Sequence, residues 1–158
     1  MKFIIVTGMS GAGKSTTLKM LEDIGYFCVD NLPIPLIEKF AELAMTPNSE
    51  LTKIAVGIDV RTGLKNISQA LENLDNHNMK YEIMFLDADD DVLVKRFKET
   101  RRAHPLVADG RVEDGILKER ELLTYLKGRA TYIINTSHLL TRELKKEVDD
   151  IFSENKGY

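Results

Sequence analysis

The sequence predicts an α/β domain: a parallel β-sheet covered by helices on both faces. Two observations predict it. Short apolar runs rich in β-branched residues alternate with longer stretches whose apolar residues recur every three or four positions. A glycine-rich turn joins the first run to the first helical stretch. Strand and helix in repeated alternation read as a parallel sheet buried on both sides, with right-handed crossovers. A length of 158 residues and 43% hydrophobic content suit one domain with one sizeable core.

The elements follow in order. Phe3-Ile4-Ile5-Val6-Thr7 is the clearest strand, and 53–58, 81–86 and 131–134 share its pattern. Residues 27–29 form a shorter one. Helix 15–24 carries Leu18, Leu21 and Ile24. Helix 35–44 carries Leu36, Ile37, Phe40 and Leu43, with Pro35 in a first turn that accepts proline. Helix 64–74 spaces Leu64, Ile67, Leu71 and Leu74. Residues 92–102 and 115–126 are charged amphipathic helices. Leu144, Val148 and Phe152 mark a closing helix over 140–152. The stretch 106–114 has no clear period and reads as a loop or lid. The polar tail 153–158 reads as the start of a linker, so the domain spans 1–152.

Composition narrows the function classes. Lys plus Arg is 22, Asp plus Glu is 25, and the net charge is −3. That excludes the strongly basic footprint of a whole-domain nucleic-acid binder. The one cysteine, Cys28, rules out a disulfide within the chain and suits a reducing, cytoplasmic setting. No apolar run reaches the ~18–20 residues of a membrane helix, so no membrane partner is expected.

Gly8-Met9-Ser10-Gly11-Ala12-Gly13-Lys14-Ser15 satisfies G-x-x-x-x-G-K-[ST] between a strand and a helix. The glycines allow close backbone approach to an anion. The N–H groups of residues 11–15 are expected to face phosphate oxygens, aided by the positive end of the helix. Lys14 reaches the β and γ phosphates, Ser15 ligates Mg²⁺ and Thr16 meets the α phosphate in this reading. The expected ligand is ATP or GTP, and the fold is P-loop NTPase-like.

A metal-bound triphosphate also needs a carboxylate beyond the strand ends. Asp59, after the apolar run 55–58, is the leading candidate for Mg²⁺ and catalysis. Asp30 is second and Asp87 third. Asp89, Asp90 and Asp91 read as a helix cap and dipole partner. Arg96, Arg101 and Arg102 lie in a basic arm that could reach phosphate or stay on a solvated face paired with Glu99, Glu113, Glu119 and Glu121. An arginine-rich lid of this kind suits a kinase-like arrangement.

Several stretches together resemble the RapZ/YvcJ family of bacterial P-loop proteins. They are the loop at 8–15, Asp30-Asn31-Leu32-Pro33, Asp59-Val60-Arg61, Phe85-Leu86-Asp87-Ala88, Glu99-Thr100-Arg101-Arg102 with His104-Pro105-Leu106, Asp109-Gly110-Arg111 and Asn135-Thr136-Ser137. The family commonly has aspartate where this chain has Asn135. The resemblance implies binding of ATP at 8–15 and of GTP at Asp59-Val60-Arg61-Thr62, with slow hydrolysis. Some members of the family are adapters that present small RNAs to a ribonuclease, with the RNA site in a separate C-terminal domain. The chain looks like the nucleotide-binding half. A small-metabolite or nucleotide kinase, with Asp30 as base, is the alternative. The N-K-x-D sequence of GTP switch proteins is missing.

Overall fold

A computed structural model describes residues 2–47, 50–58, 67–100 and 111–152. Five parallel strands form one sheet: β1 (Lys2–Gly8), β2 (Phe27–Val29), β3 (Lys53–Gly57), β4 (Glu82–Asp87) and β5 (Tyr132–Asn135), in the order β2-β3-β1-β4-β5. β1 lies at the centre, with Ile4 opposite Ala55 on one side and Glu82 on the other. All six residues from Phe3 to Gly8 are buried, so both faces of the central strand are covered. The unbroken apolar runs of the sequence have this cause: a strand covered twice has no polar face.

Among the described residues, six α-helices connect and cover the strands: α1 (Lys14–Asp23), α2 (Ile37–Met45), α3 (Ile67–Asn76), α4 (Asp90–Thr100), α5 (Val112–Gly128) and α6 (Thr141–Phe152). α1 packs on α6, α2 on α3, and α4 on α5. Among the described residues, none of the helices is long and apolar enough to cross a membrane.

Two expected boundaries move. Pro35 lies in a 3₁₀ turn, Ile34–Leu36, ahead of α2, and not in the α-helix itself. The lid expected over 106–114 is overturned at its end, because α5 already begins at Val112. Glu113 and Asp114 sit in its first turn, where carboxylates favour the helix dipole. Residues 101–110, including Arg101, Arg102 and most of the proposed lid, lie outside the described residues.

At the sheet edge, the Cys28 thiol donates to the Leu18 carbonyl (3.2 Å). Burial, aided by the negative charge of Glu22, pushes this thiol up to about 12. α6 is fastened by Phe152, whose ring meets Tyr132 edge-on at 5.4 Å and Tyr26 at 6.1 Å. Phe152→Ala should therefore cost about 3 kcal/mol through lost transfer energy and a cavity. Urea denaturation is the check, with a clear fall in midpoint expected.

Candidate functional site

The loop between β1 and α1 is built on close backbone approach. Gly8 has φ 145°, and a Cβ there would lie 2.1 Å from the Leu86 carbonyl oxygen on β4. The Met9 N–H donates to that same oxygen (3.0 Å). A β-turn follows over residues 9–12, closed by Ala12 N–H to Met9 C=O (3.0 Å), with Gly11 third at φ 87°. The Ala12 N–H is thus spent on the turn, which corrects the expectation that it faces an anion. Gly13, at φ 107°, is the N-cap of α1.

Lys14 and Ser15 open that helix, and both meet Asp30. Lys14 Nζ lies 3.7 Å from Asp30 Oδ1, and Ser15 Oγ donates to Asp30 Oδ2 (3.2 Å). The turn after β2 explains how the carboxylate arrives. Asn31 takes the left-handed conformation (φ 53°), which asparagine tolerates. Its N–H donates to Asp30 Oδ1, the Leu32 N–H donates to Gly57 C=O (2.8 Å), and the Leu32 side chain is buried. Gly57 leaves the room: a Cβ there would stand 2.7 Å from Asp30 Oδ1 and 2.8 Å from Leu18 Cδ1.

Of the carboxylates weighed from sequence, Asp30 is the one seen beside Ser15. Asp59 lies outside the described residues, as do Val60, Arg61 and Thr62. The chain is last described at Ile58, whose N–H donates to Val6 C=O at the carboxyl end of β1. Asp87, the third candidate, is engaged elsewhere. It takes Arg120 Nη1 (2.9 Å) and Lys127 Nζ (2.8 Å), while Arg120 Nε also meets Asp90 (2.6 Å). Burial pushes the Asp87 carboxyl up. Hydrogen bonds from Lys127, the Ala88 amide and Arg120 outweigh it and hold the group below its ordinary value.

Arg96 bonds the loop and the segment just beyond β5. Its Nη1 donates to Gly11 C=O (2.9 Å) and Thr136 Oγ1 (3.1 Å), and its Nη2 to Thr136 C=O (2.8 Å). Thr136 Oγ1 in turn donates to Ala12 C=O (2.8 Å). Asn135 bonds Asp89 Oδ1 (3.1 Å) and receives the Ser137 N–H (2.9 Å).

Sequence reasoning missed Glu119, reading it as a surface partner for arginines. It is wholly buried, and it accepts the Ser10 N–H (2.9 Å) and the Ser10 hydroxyl (2.6 Å). A signal existed: Ile116, Glu119, Leu123 and Leu126 share one helical stripe, so a carboxylate stands in an apolar row.

Two outcomes follow from this geometry. Gly8→Ala adds overpacking of ~1–3 kcal/mol to backbone strain of ~1–3 kcal/mol, so little folded protein is expected by circular dichroism. The Asp87 contribution is fully present above its unfolded value near ~3.9. It is lost as pH falls through the lower folded value. Asp87→Asn should therefore lower stability at pH 7 and flatten the acid limb of a stability–pH curve.

Comparisons with known proteins agree with this arrangement. Solved structures of the same fold include shikimate kinase from Bacteroides thetaiotaomicron (TM-score 0.63, 16% identity, 95% of this chain and 97% of that one). A gluconokinase from Sinorhizobium meliloti matches with TM-score 0.58 and 18% identity over 93% of this chain and 89% of that one. These likenesses show the fold, a parallel sheet with helices on both faces arranged as in those kinases. Proteins named nucleotide-binding protein are nearer in sequence. That of Agathobacter rectalis is 61% identical over all of this chain and 55% of its own length, and that of Lachnoclostridium phytofermentans 58% over all of this chain and 56%. The chain spans about half the length of these curated relatives. The model of the RapZ-like N-terminal domain matches residues 1–156, and the chain belongs to that family.

Proposed function

We propose that this chain is a nucleoside triphosphate-binding module, taking ATP and GTP and hydrolysing them slowly, in the cytoplasm. The observation that carries this reading is the meeting of Lys14, Ser15 and Asp30 at the N-terminus of α1. A cation, a hydroxyl and a carboxylate at the positive end of a helix suit a triphosphate and its counter-ion. Mg²⁺ favours oxygen donors and keeps several waters, so few protein ligands are needed. Ser15 Oγ and the Asp30 carboxylate are such donors, and they would hold Mg²⁺, which supplies charge neutralisation between the phosphates. Lys14 exchanges its long contact with Asp30 for phosphate oxygens. Thr16 meets the α phosphate, and Asp59 to Thr62 contribute to GTP binding in the same reading. Met9, Ser10, Gly11 and Gly13 shape the loop, and Arg101 and Arg102 complement the phosphate charge.

The module is the regulatory half of an RNA-binding adapter whose RNA contacts lie outside the nucleotide-binding domain. The net charge of −3 supports this division, since RNA affinity draws on cationic contacts. A second reading, phosphoryl transfer to a small metabolite, is favoured by Asp30 itself. Its carboxylate is 39% exposed beside Lys14, where it could accept the proton of an acceptor hydroxyl.

Calorimetric titration tests the first reading. Lys14→Ala should weaken ATP and GTP binding about 10–150-fold, the equivalent of a charge-assisted contact of ~1.5–3 kcal/mol, in a protein that still folds. Unchanged affinity would overturn it. Labelled phosphate released as free phosphate supports hydrolysis, whereas a labelled metabolite from a cell extract supports the kinase reading. Asp30→Asn should move the Mg²⁺ dependence to higher concentration. Should only Asp59→Asn do so, the metal carboxylate is Asp59.

A further inference from the structure

The crest of the phosphate loop is held from two helices at once. In the turn over residues 9–12, the central peptide joins Ser10 to Gly11 and carries the Gly11 N–H. Rotation of a central peptide is what separates the common turn types, and it reverses where that N–H points. The peptide on one side, which carries the Ser10 N–H, is fastened to Glu119 on α5, with a second bond from the Ser10 hydroxyl to the same carboxylate. The peptide on the other side, which carries Gly11 C=O, is fastened to Arg96 on α4. Arg96 is itself fixed by Thr136, and α4 also supplies Leu93 and Phe97 beneath Gly11. Both peptides that border the central one are thus held by charged side chains, one of them fully buried.

We propose that Glu119 and Arg96 are positioning residues that set the orientation of the Ser10–Gly11 peptide, and that nucleotide affinity depends on them. The inference rests on the reading of residues 8–15 as a triphosphate site. Neither side chain needs to touch the nucleotide. Each removes a rotation that the loop would otherwise have to give up on binding, and pre-ordering of this kind strengthens affinity. α4 and α5 thereby become part of the nucleotide site through the loop backbone.

Two measurements separate this inference from the reading beneath it. The first is amide exchange at residues 9–12 in the nucleotide-free chain. Glu119→Ala should expose the Ser10 N–H to exchange, while Glu119→Gln should keep it protected, because the glutamine carbonyl can accept that N–H and its amide can donate to the Ser10 hydroxyl. The second is ATP titration. Glu119→Ala should weaken binding roughly tenfold, and Ser10→Ala, which keeps the backbone bond, roughly threefold. The double variant should be no weaker than Glu119→Ala alone, and Glu119→Gln should restore most of the affinity. If Glu119→Ala does not fold, Ser10→Ala and Glu119→Gln decide the matter by the same criteria. Wild-type affinity in folded Ser10→Ala and Glu119→Ala, with Lys14→Ala still defective, overturns the positioning role alone. Wild-type affinity in Lys14→Ala as well overturns both readings.

Discussion

The site depends first on the contact between Gly8 and Leu86. The end of β1 passes so close to the β4 backbone that no side chain fits between them. The Met9 N–H then takes the Leu86 carbonyl that would otherwise be orphaned. This approach turns the chain sharply at the carboxyl edge of the sheet and delivers it into α1. It also sets the height of the loop relative to β4, so Thr136, just beyond β5, can bond both Ala12 C=O and Asp87 C=O. Parallel pairing places the strand ends at one edge, and this junction fixes how the loop at residues 8–15 stands above them.

Two of the charged sets around that junction differ in their partners. Lys14, Ser15 and Asp30 form one set, at the N-terminus of α1. Asp87, Arg120, Lys127 and Asp90 form a structural set that ties α5 to the end of β4 and the start of α4. Asp87 therefore belongs to the scaffold although it stands at a strand end, like Asp30. The difference lies in the partners: two cations neutralise Asp87 in a buried place, whereas Asp30 faces the loop half-exposed. A carboxylate already satisfied by cations has little capacity left for a metal.

The fold was legible because its elements are locally consistent: apolar runs mark the doubly covered strands, and spacings of three and four mark the helices. The loop at 8–15 was legible because motif and context coincide. What stayed hidden depends on contacts distant in sequence. Asp30 and Asp59 look alike as residues after apolar runs, and only the bare Gly57 and the left-handed Asn31 show how Asp30 reaches Ser15. Arg96 reads as either a phosphate ligand or a solvated side chain, and Glu119 as an ordinary member of a charged helix. Their bonds to Gly11 and Ser10 span 85 and 109 residues, and no local pattern encodes such a pairing. The start of α5 was missed because Val112 to Asp114 carry no apolar period, while their acidic first turn does favour a helix.

Cys28 offers a practical handle on the edge of this sheet. With its thiol raised to about 12, very little of the reactive thiolate is present near neutral pH. An electrophile such as a maleimide or a disulfide reagent therefore finds the native protein nearly inert. Reaction speeds up when β2 peels away from α1, because the sulfur then regains its ordinary acidity. The rate of alkylation thus reports local opening beside Asp30, readable at the native cysteine without any substitution.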